Sequence, residues 1–193
     1  MPLNPPALAA GFITPNLIST GNLGTGVPKF ALGLSMGVCQ FLTIESKVTT
    51  VDAGTLGVGT GIIPLIVPNP LVQSSLVTGF VSVGILGTLA PLFIQGLTTG
   101  LCTGWLALAL LQTNHPTVGV GAGVARITGP TAVPAMLAGF SAVGMTGIGP
   151  TKMAQAIGTA LDMVFASFVQ PGIPIVGTPS IVGSSGVGFG TVI

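Results

Sequence analysis

The string G-V-G-x-G occurs three times, as Gly57-Val58-Gly59-Thr60-Gly61, Gly119-Val120-Gly121-Ala122-Gly123 and Gly186-Val187-Gly188-Phe189-Gly190. Each copy closes a stretch of about sixty residues, so the chain reads as one unit written three times, and an internal period constrains a fold more than any local propensity does. Gly21, Leu23, Gly24, Thr25, Pro28, Phe30, Gly33, Leu34, Gly37 and Cys39 each stand 63 residues before an identical residue, from Gly84 to Cys102. Val143-Gly144, Gly147, Gln155, Thr159 and Leu161 answer Val83-Gly84, Gly87, Gln95, Thr99 and Leu101 at an offset of 60. Lys29 and Lys152 fall at matching places, and Gly11-Phe12, Gly79-Phe80 and Gly139-Phe140 read as equivalent points upstream.

Each unit reads as two helices and a tail. The first helix opens at a proline, over about 5–18, 70–86 and 131–145, where the missing N–H of proline would have no helical partner anyway. A glycine-containing turn follows, and the second helix opens near another proline, over about 27–43, 90–111 and 150–168. The tails carry β-branched residues and GVGxG: 47–51, 117–127 and 173–193 favour short strands or extended loops. The expected fold is therefore mainly α with short β segments. It is a single domain over 1–193 of three pseudo-equivalent units (about 1–62, 63–124 and 125–193), each an apolar helical hairpin followed by a Gly-rich strand or loop tail.

Glycine inside a helix costs roughly 1 kcal/mol against alanine. Gly33 and Gly37 are nevertheless four residues apart, as are Gly96, Gly100 and Gly104. That spacing lays bare backbone along one helix face, where a second helix can approach closely. These glycines, with Gly57, Gly59, Gly61, Gly119, Gly121, Gly123, Gly186, Gly188 and Gly190, are the candidate packing and assembly positions.

Charge is nearly absent. Charged residues make up 4% and hydrophobic residues 49%, and 53–125 holds no Lys, Arg, Asp or Glu. Mean hydropathy is +0.94, whereas roughly a quarter of the residues of a soluble domain are charged. Such a surface suits lipid or a covering of other subunits. A membrane span needs about 20 apolar residues. Only 90–111 reads long enough, because the matching helices carry Lys29, or Lys152 and Asp162. The start, Met1-Pro2-Leu3-Asn4, lacks the basic residues of a signal peptide. A formal net charge of +1 argues against nucleic-acid binding, which needs a basic field. Low charge also removes a barrier to self-association.

No catalytic constellation emerges. GVGxG is followed by no Lys-Ser or Lys-Thr and opens no helix, so it lacks the context of a phosphate-binding loop; its glycines fit tight turns and close strand approach. Cys39, Cys102 and Asp162 occupy equivalent repeat positions and would converge around a threefold axis, as an incomplete metal set, as a Cys39–Cys102 disulfide, or as plain core residues. His115 sits in the turn-like Asn114-His115-Pro116, Glu45, Lys47 and Asp52 form a small charged patch, and Trp105 reads as a mid-helix packing anchor. No catalytic residue, cofactor or metal site is expected.

The GVGxG strings and runs such as Met136-Leu137-Ala138-Gly139-Phe140-Ser141-Ala142-Val143-Gly144-Met145 resemble the small, Gly-rich, hydrophobic virion structural proteins of contractile-tailed phages, including cyanophages. The resemblance implies a non-enzymatic component of the virion tail or baseplate. Such a component would be a three- or sixfold homo-oligomer in contact with other virion proteins, and would contact the host envelope during infection. The alternative expectation is a resident membrane pore of holin-like or proteolipid-like type.

Overall fold

The structure, a computed structural model, describes residues 4–42, 47–55, 58–64, 69–85, 87–102, 110–115, 120–128, 132–167, 170–176 and 185–191. The chain is mainly helical. It begins with α1 (Pro5–Leu8), a π-helical turn (Ala9–Ile13) and α2 (Thr14–Ser19), which run on as one rod. Pro15 accounts for the π turn: it has no N–H for the carbonyl of Gly11 and its ring crowds that carbonyl, so the ladder widens just before it. The Thr14 N–H accordingly reaches back to Ala9. Next come α3 (Val27–Gln40), β1 (Lys47–Thr55), β2 (Val58–Pro64), α4 (Asn69–Ser82), α5 (Ala90–Thr99), β3 (Leu110–His115) and β4 (Val120–Thr128). The order ends with α6 (Ala132–Ala142), α7 (Ile148–Ser167), β5 (Gln170–Val176) and β6 (Ser185–Thr191).

Three helical hairpins turn in one way. Gly21, Gly84 and Gly144 have φ of 84°, 73° and 76°, a left-handed backbone that glycine enters without a Cβ clash. The N–H of each donates to the carbonyl three residues back, on Ile18, Val81 and Ser141. The next N–H, on Asn22, Ile85 or Met145, donates to Leu17, Phe80 or Phe140 at 2.9, 3.0 and 2.9 Å. This paired closure is the Schellman arrangement, which satisfies the last carbonyls of a helix. It corrects one expected equivalence. The turn bonds align Leu17 with Phe80 and Phe140, so Gly11-Phe12 stands five residues upstream of the matching place and Asn16 occupies the position of Gly79 and Gly139.

The second helix of one hairpin packs on the first helix of the next: α3 on α4, α5 on α6, and α7 on the π turn and α2. Glycine sets the first two distances. A methyl on Gly37 would lie 2.8 Å from Leu76 Cα, and one on Gly100 would lie 2.7 Å from the Ala135 carbonyl oxygen. At the third contact Ala156 and Ala160, both fully buried, follow Gly144 at the 12 and 16 residues by which Gly33 and Gly37 follow Gly21. On the other side Asn16 stands where Gly79 and Gly139 do; its side-chain amide donates to the Phe12 carbonyl at 2.8 Å and touches Met163 Sδ of α7 at 3.8 Å. Side chains replace bare backbone on both sides of that contact. Four rings then tie the hairpins together: Phe30 lies 5.4 Å from Phe80 and 5.5 Å from Phe93, and Phe93 lies 5.3 Å from Phe140.

The extended segments pair antiparallel in the order β5-β4-β3-β2-β1-β6, with registers such as Gly54 opposite Gly59 and Val51 opposite Val187. Because β1 follows α3 and β2 leads into α4, the strands join the helices at the ends away from the glycine turns. The helix expected over 90–111 is shorter than its apolar run. It ends at Thr99, a π turn carries it to Cys102, and Leu110 already belongs to β3. His115, expected in a turn, closes β3 opposite Gly59. Pairing with β2 on one side and β4 on the other satisfies the backbone of Leu110–His115, which outweighs the helical preference of its leucines. Gly104 and Trp105 lie outside the described residues.

Candidate functional site

The candidate glycines divide by environment. Gly33, Gly37, Gly96 and Gly100 face helices of the same chain, so their bare faces are used in internal packing. Gly59 and Gly61 lie in β2, Gly121 and Gly123 in β4, and Gly186, Gly188 and Gly190 in β6, each opposite another strand of this chain. Gly57 and Gly119 lie outside the described residues, as does Glu45 of the charged patch; Lys47 and Asp52 lie in β1.

Cys39, Cys102 and Asp162 do not act as one set. Burial pushes the Cys39 thiol up to about 12 and the Cys102 thiol up to about 11, so both stay protonated at neutral pH, and they are not bridged. The Asp162 carboxylate is engaged elsewhere: its Oδ1 and Oδ2 accept from the Ala132 N–H at 2.8 and 2.9 Å. Ala132 opens α6, and its N–H has no carbonyl within that helix, so a carboxylate from α7 caps it. The corresponding first helices begin earlier relative to their glycine turns, at Pro5 and Asn69, which leaves no such end beside Cys39 and Cys102. Among the described residues no group of three His, Cys, Asp or Glu side chains is placed to hold a metal ion.

Burial raises the Asp162 carboxyl above its ordinary 3.8, and the Ala132 N–H pulls it down by less. The folded chain therefore holds this proton more tightly than the unfolded chain. That contribution to stability is complete below 3.8 and is lost as pH rises through the raised value. Asp162→Asn removes the titration while keeping an acceptor. In thermal melts, the stability difference between wild type and D162N should shift toward wild type on acidification from neutral pH; a shift the other way would contradict this assignment. Asp162→Ala removes the cap altogether and should cost about 1 kcal/mol at neutral pH.

The most unusual surface lies at the glycine-turn end. Leu23, Leu89 and Ile148 are 77%, 73% and 77% exposed, one in each hairpin turn or at the helix start after it. Two cavities open beside them. The larger, about 520 Å³, is walled by Phe30, Phe80, Ile85, Phe93 and Met145, with Leu89 on its lining. The smaller, about 290 Å³, lies on the other side of Phe30, between Leu23, Val27 and Met153. The wall of the larger is almost wholly carbon, while Asn22 adds polar surface to the smaller. Lys29 is exposed in the first turn of α3 and Lys152 just past the first turn of α7, and the Lys152 Nζ stands 3.2 Å from where a Cβ on Gly21 would be. The pattern that marks these tips is an aliphatic residue beside turn glycines, as in Gly21-Asn22-Leu23-Gly24, Gly87-Thr88-Leu89 and Gly147-Ile148-Gly149.

No family model, curated protein or solved structure matches this chain. Among the described residues, no helix is long and apolar enough to cross a membrane.

Proposed function

We propose that this chain is a non-enzymatic structural subunit of a phage virion, in the tail or baseplate, which assembles as a three- or sixfold oligomer with itself and with other virion proteins. The reading takes the chain as three units, about 1–62, 63–124 and 125–193, each an apolar helical hairpin followed by a Gly-rich strand or loop tail. The observation that supports it most is the threefold recurrence of one glycine turn, each beside an exposed aliphatic tip. A chain with internal threefold pseudo-symmetry fits on or near an axis of that order in a closed assembly. A surface with 4% charged residues suits burial against neighbours, at roughly 25 cal/mol per Å² of apolar area covered.

Detergent-free expression followed by size exclusion with light scattering tests the reading. A discrete soluble trimer, hexamer or larger ring supports it, whereas recovery only from membranes, monodisperse only in detergent, favours a resident pore. Gly121→Val sharpens the test, because a branched side chain in β4 would obstruct any contact that needs bare backbone there. This variant should keep the helical circular-dichroism signal and fail to form the oligomer; normal assembly would remove the GVGxG segments from the interface.

A further inference from the structure

The glycine-turn end combines three features that the helical core does not need. Its aliphatic tips are exposed at three separate points rather than gathered into one groove. Part of its turn backbone is bonded internally: the N–H groups of Gly21, Asn22, Gly84, Ile85, Gly144 and Met145 all donate within their own turns. Its charge has one sign. Within the three turn segments, 18–30, 81–93 and 141–153, the charged residues are Lys29 and Lys152, while the three carboxylates of the chain are Glu45, Asp52 and Asp162. Asp162 caps the start of α6, and Asp52 lies in β1, both at the opposite end of the hairpins.

We propose that this end docks on the headgroup region of an anionic lipid bilayer, with Leu23, Leu89 and Ile148 entering the interface and Lys29 and Lys152 on the headgroups. The proposal rests on the reading of the chain as a particle subunit that meets an envelope, and it names the surface that does so. The internally bonded N–H groups of these turns carry no unpaired-donor penalty on entering the interface, and the hydrated headgroup region can pair with the rest. Separate aliphatic points suit a fluid interface, which requires no matching pocket. Charge complementarity selects the partner: a second copy presented by the same end would set lysine against lysine, whereas an anionic leaflet attracts both. The cavity beside Leu89, walled by phenylalanine and open at this end, offers room for part of an acyl chain. Two lysines per chain attract weakly, and a three- or sixfold oligomer multiplies them through one rigid surface.

Cosedimentation with phosphatidylcholine vesicles, with and without about one-third phosphatidylglycerol, tests this. The assembled wild-type protein should bind the anionic vesicles, bind neutral ones far less, and lose binding as salt is raised. Lys29→Gln with Lys152→Gln should weaken binding to anionic vesicles by roughly thirtyfold for a single engaged chain and by more in the oligomer. Leu23→Ser with Leu89→Ser and Ile148→Ser should abolish it, with helicity and melting unchanged because these side chains are exposed. Val77→Ser, at an exposed position in α4 away from the turns, should bind as wild type. Absence of binding by wild type, or equal binding by the turn variants, overturns the proposal. So does a triple serine variant that binds vesicles normally but changes its mass in detergent-free light scattering, since the tips would then be a subunit contact. The oligomer measured without vesicles reports on the assembly reading by itself, so the two can fail separately.

Discussion

Gly139→Ala should destabilise the folded chain by about 3 kcal/mol or more, although alanine is the better helix former by roughly 1 kcal/mol. The added methyl would land on the Gly96 carbonyl oxygen and the Gly100 amide nitrogen, and 2.7 Å from Gly100 Cα. All three are backbone atoms of a facing helix, so no side-chain rotation relieves the overlap and α5 and α6 must move apart. Gly79→Ala meets Gly33 and Gly37 in the same way, with the Gly37 nitrogen at 2.6 Å, and should cost as much. Against a typical total of about 5–15 kcal/mol, either loss is large. Gly11→Ala is the control: no atom lies within 4 Å of its added methyl, and it should be neutral or stabilise by up to about 1 kcal/mol. Urea unfolding of the three variants, at one protein concentration, separates the cases. Equal midpoints for Gly139→Ala and Gly11→Ala would mean that α5 and α6 do not meet at this point.

The same glycines show how far the sequence could be read. Spacing by four places Gly33 with Gly37 and Gly96 with Gly100 on bare helix stripes, and the stripes are used as such. Which helix fills each stripe depends on a contact between distant segments, α3 with α4 and α5 with α6, and local spacing carries no trace of it. Helices mostly begin where proline allows, with Pro5 at the first position and Pro28 and Pro91 at the second, and the hairpins turn at Gly21, Gly84 and Gly144. The first helix was misaligned because Ala10-Gly11-Phe12 mimics Ala138-Gly139-Phe140, while the turn hydrogen bonds five residues later decide the true match. Leu110 and Leu111 favour helix by composition, but the strands that flank β3 come from elsewhere in the chain. Asp162 was grouped with the cysteines by position. Its role as a cap depends on α6 starting at Ala132, within a residue of the start that the proline marks, and on α7 lying beside that end, a contact between distant segments that spacing does not carry. Exposure of Leu23, Leu89 and Ile148 was illegible for a related reason: composition reports how apolar a residue is and leaves open whether anything covers it.

Phe80→Ala should cost about 3–5 kcal/mol, the upper range for deleting a buried ring. Phe80 is 2% exposed and sits where two hairpins meet, 5.4 Å from Phe30 of the first and 6.0 Å from Phe93 of its own. Its removal takes a ring contact from each and enlarges the space beside the cavity of about 520 Å³ whose wall it forms. Collapse of neighbours into a vacated site is what lowers such costs, and a wall that already borders open volume has fewer atoms with which to collapse. Phe80→Leu keeps much of the volume and should cost less than about 1.5 kcal/mol. Because Phe30 and Phe80 touch across the two hairpins, the double alanine variant should lose less than the sum of the single losses, by about 0.5–1.5 kcal/mol. Chemical unfolding of wild type, both single variants and the double variant closes that cycle. A loss under 1 kcal/mol for Phe80→Ala, or strict additivity with Phe30→Ala, would mean that the rings do not bridge the hairpins. A loss of the expected size identifies the aromatic cluster as the joint that holds the hairpins, and their exposed tips, in one fixed arrangement.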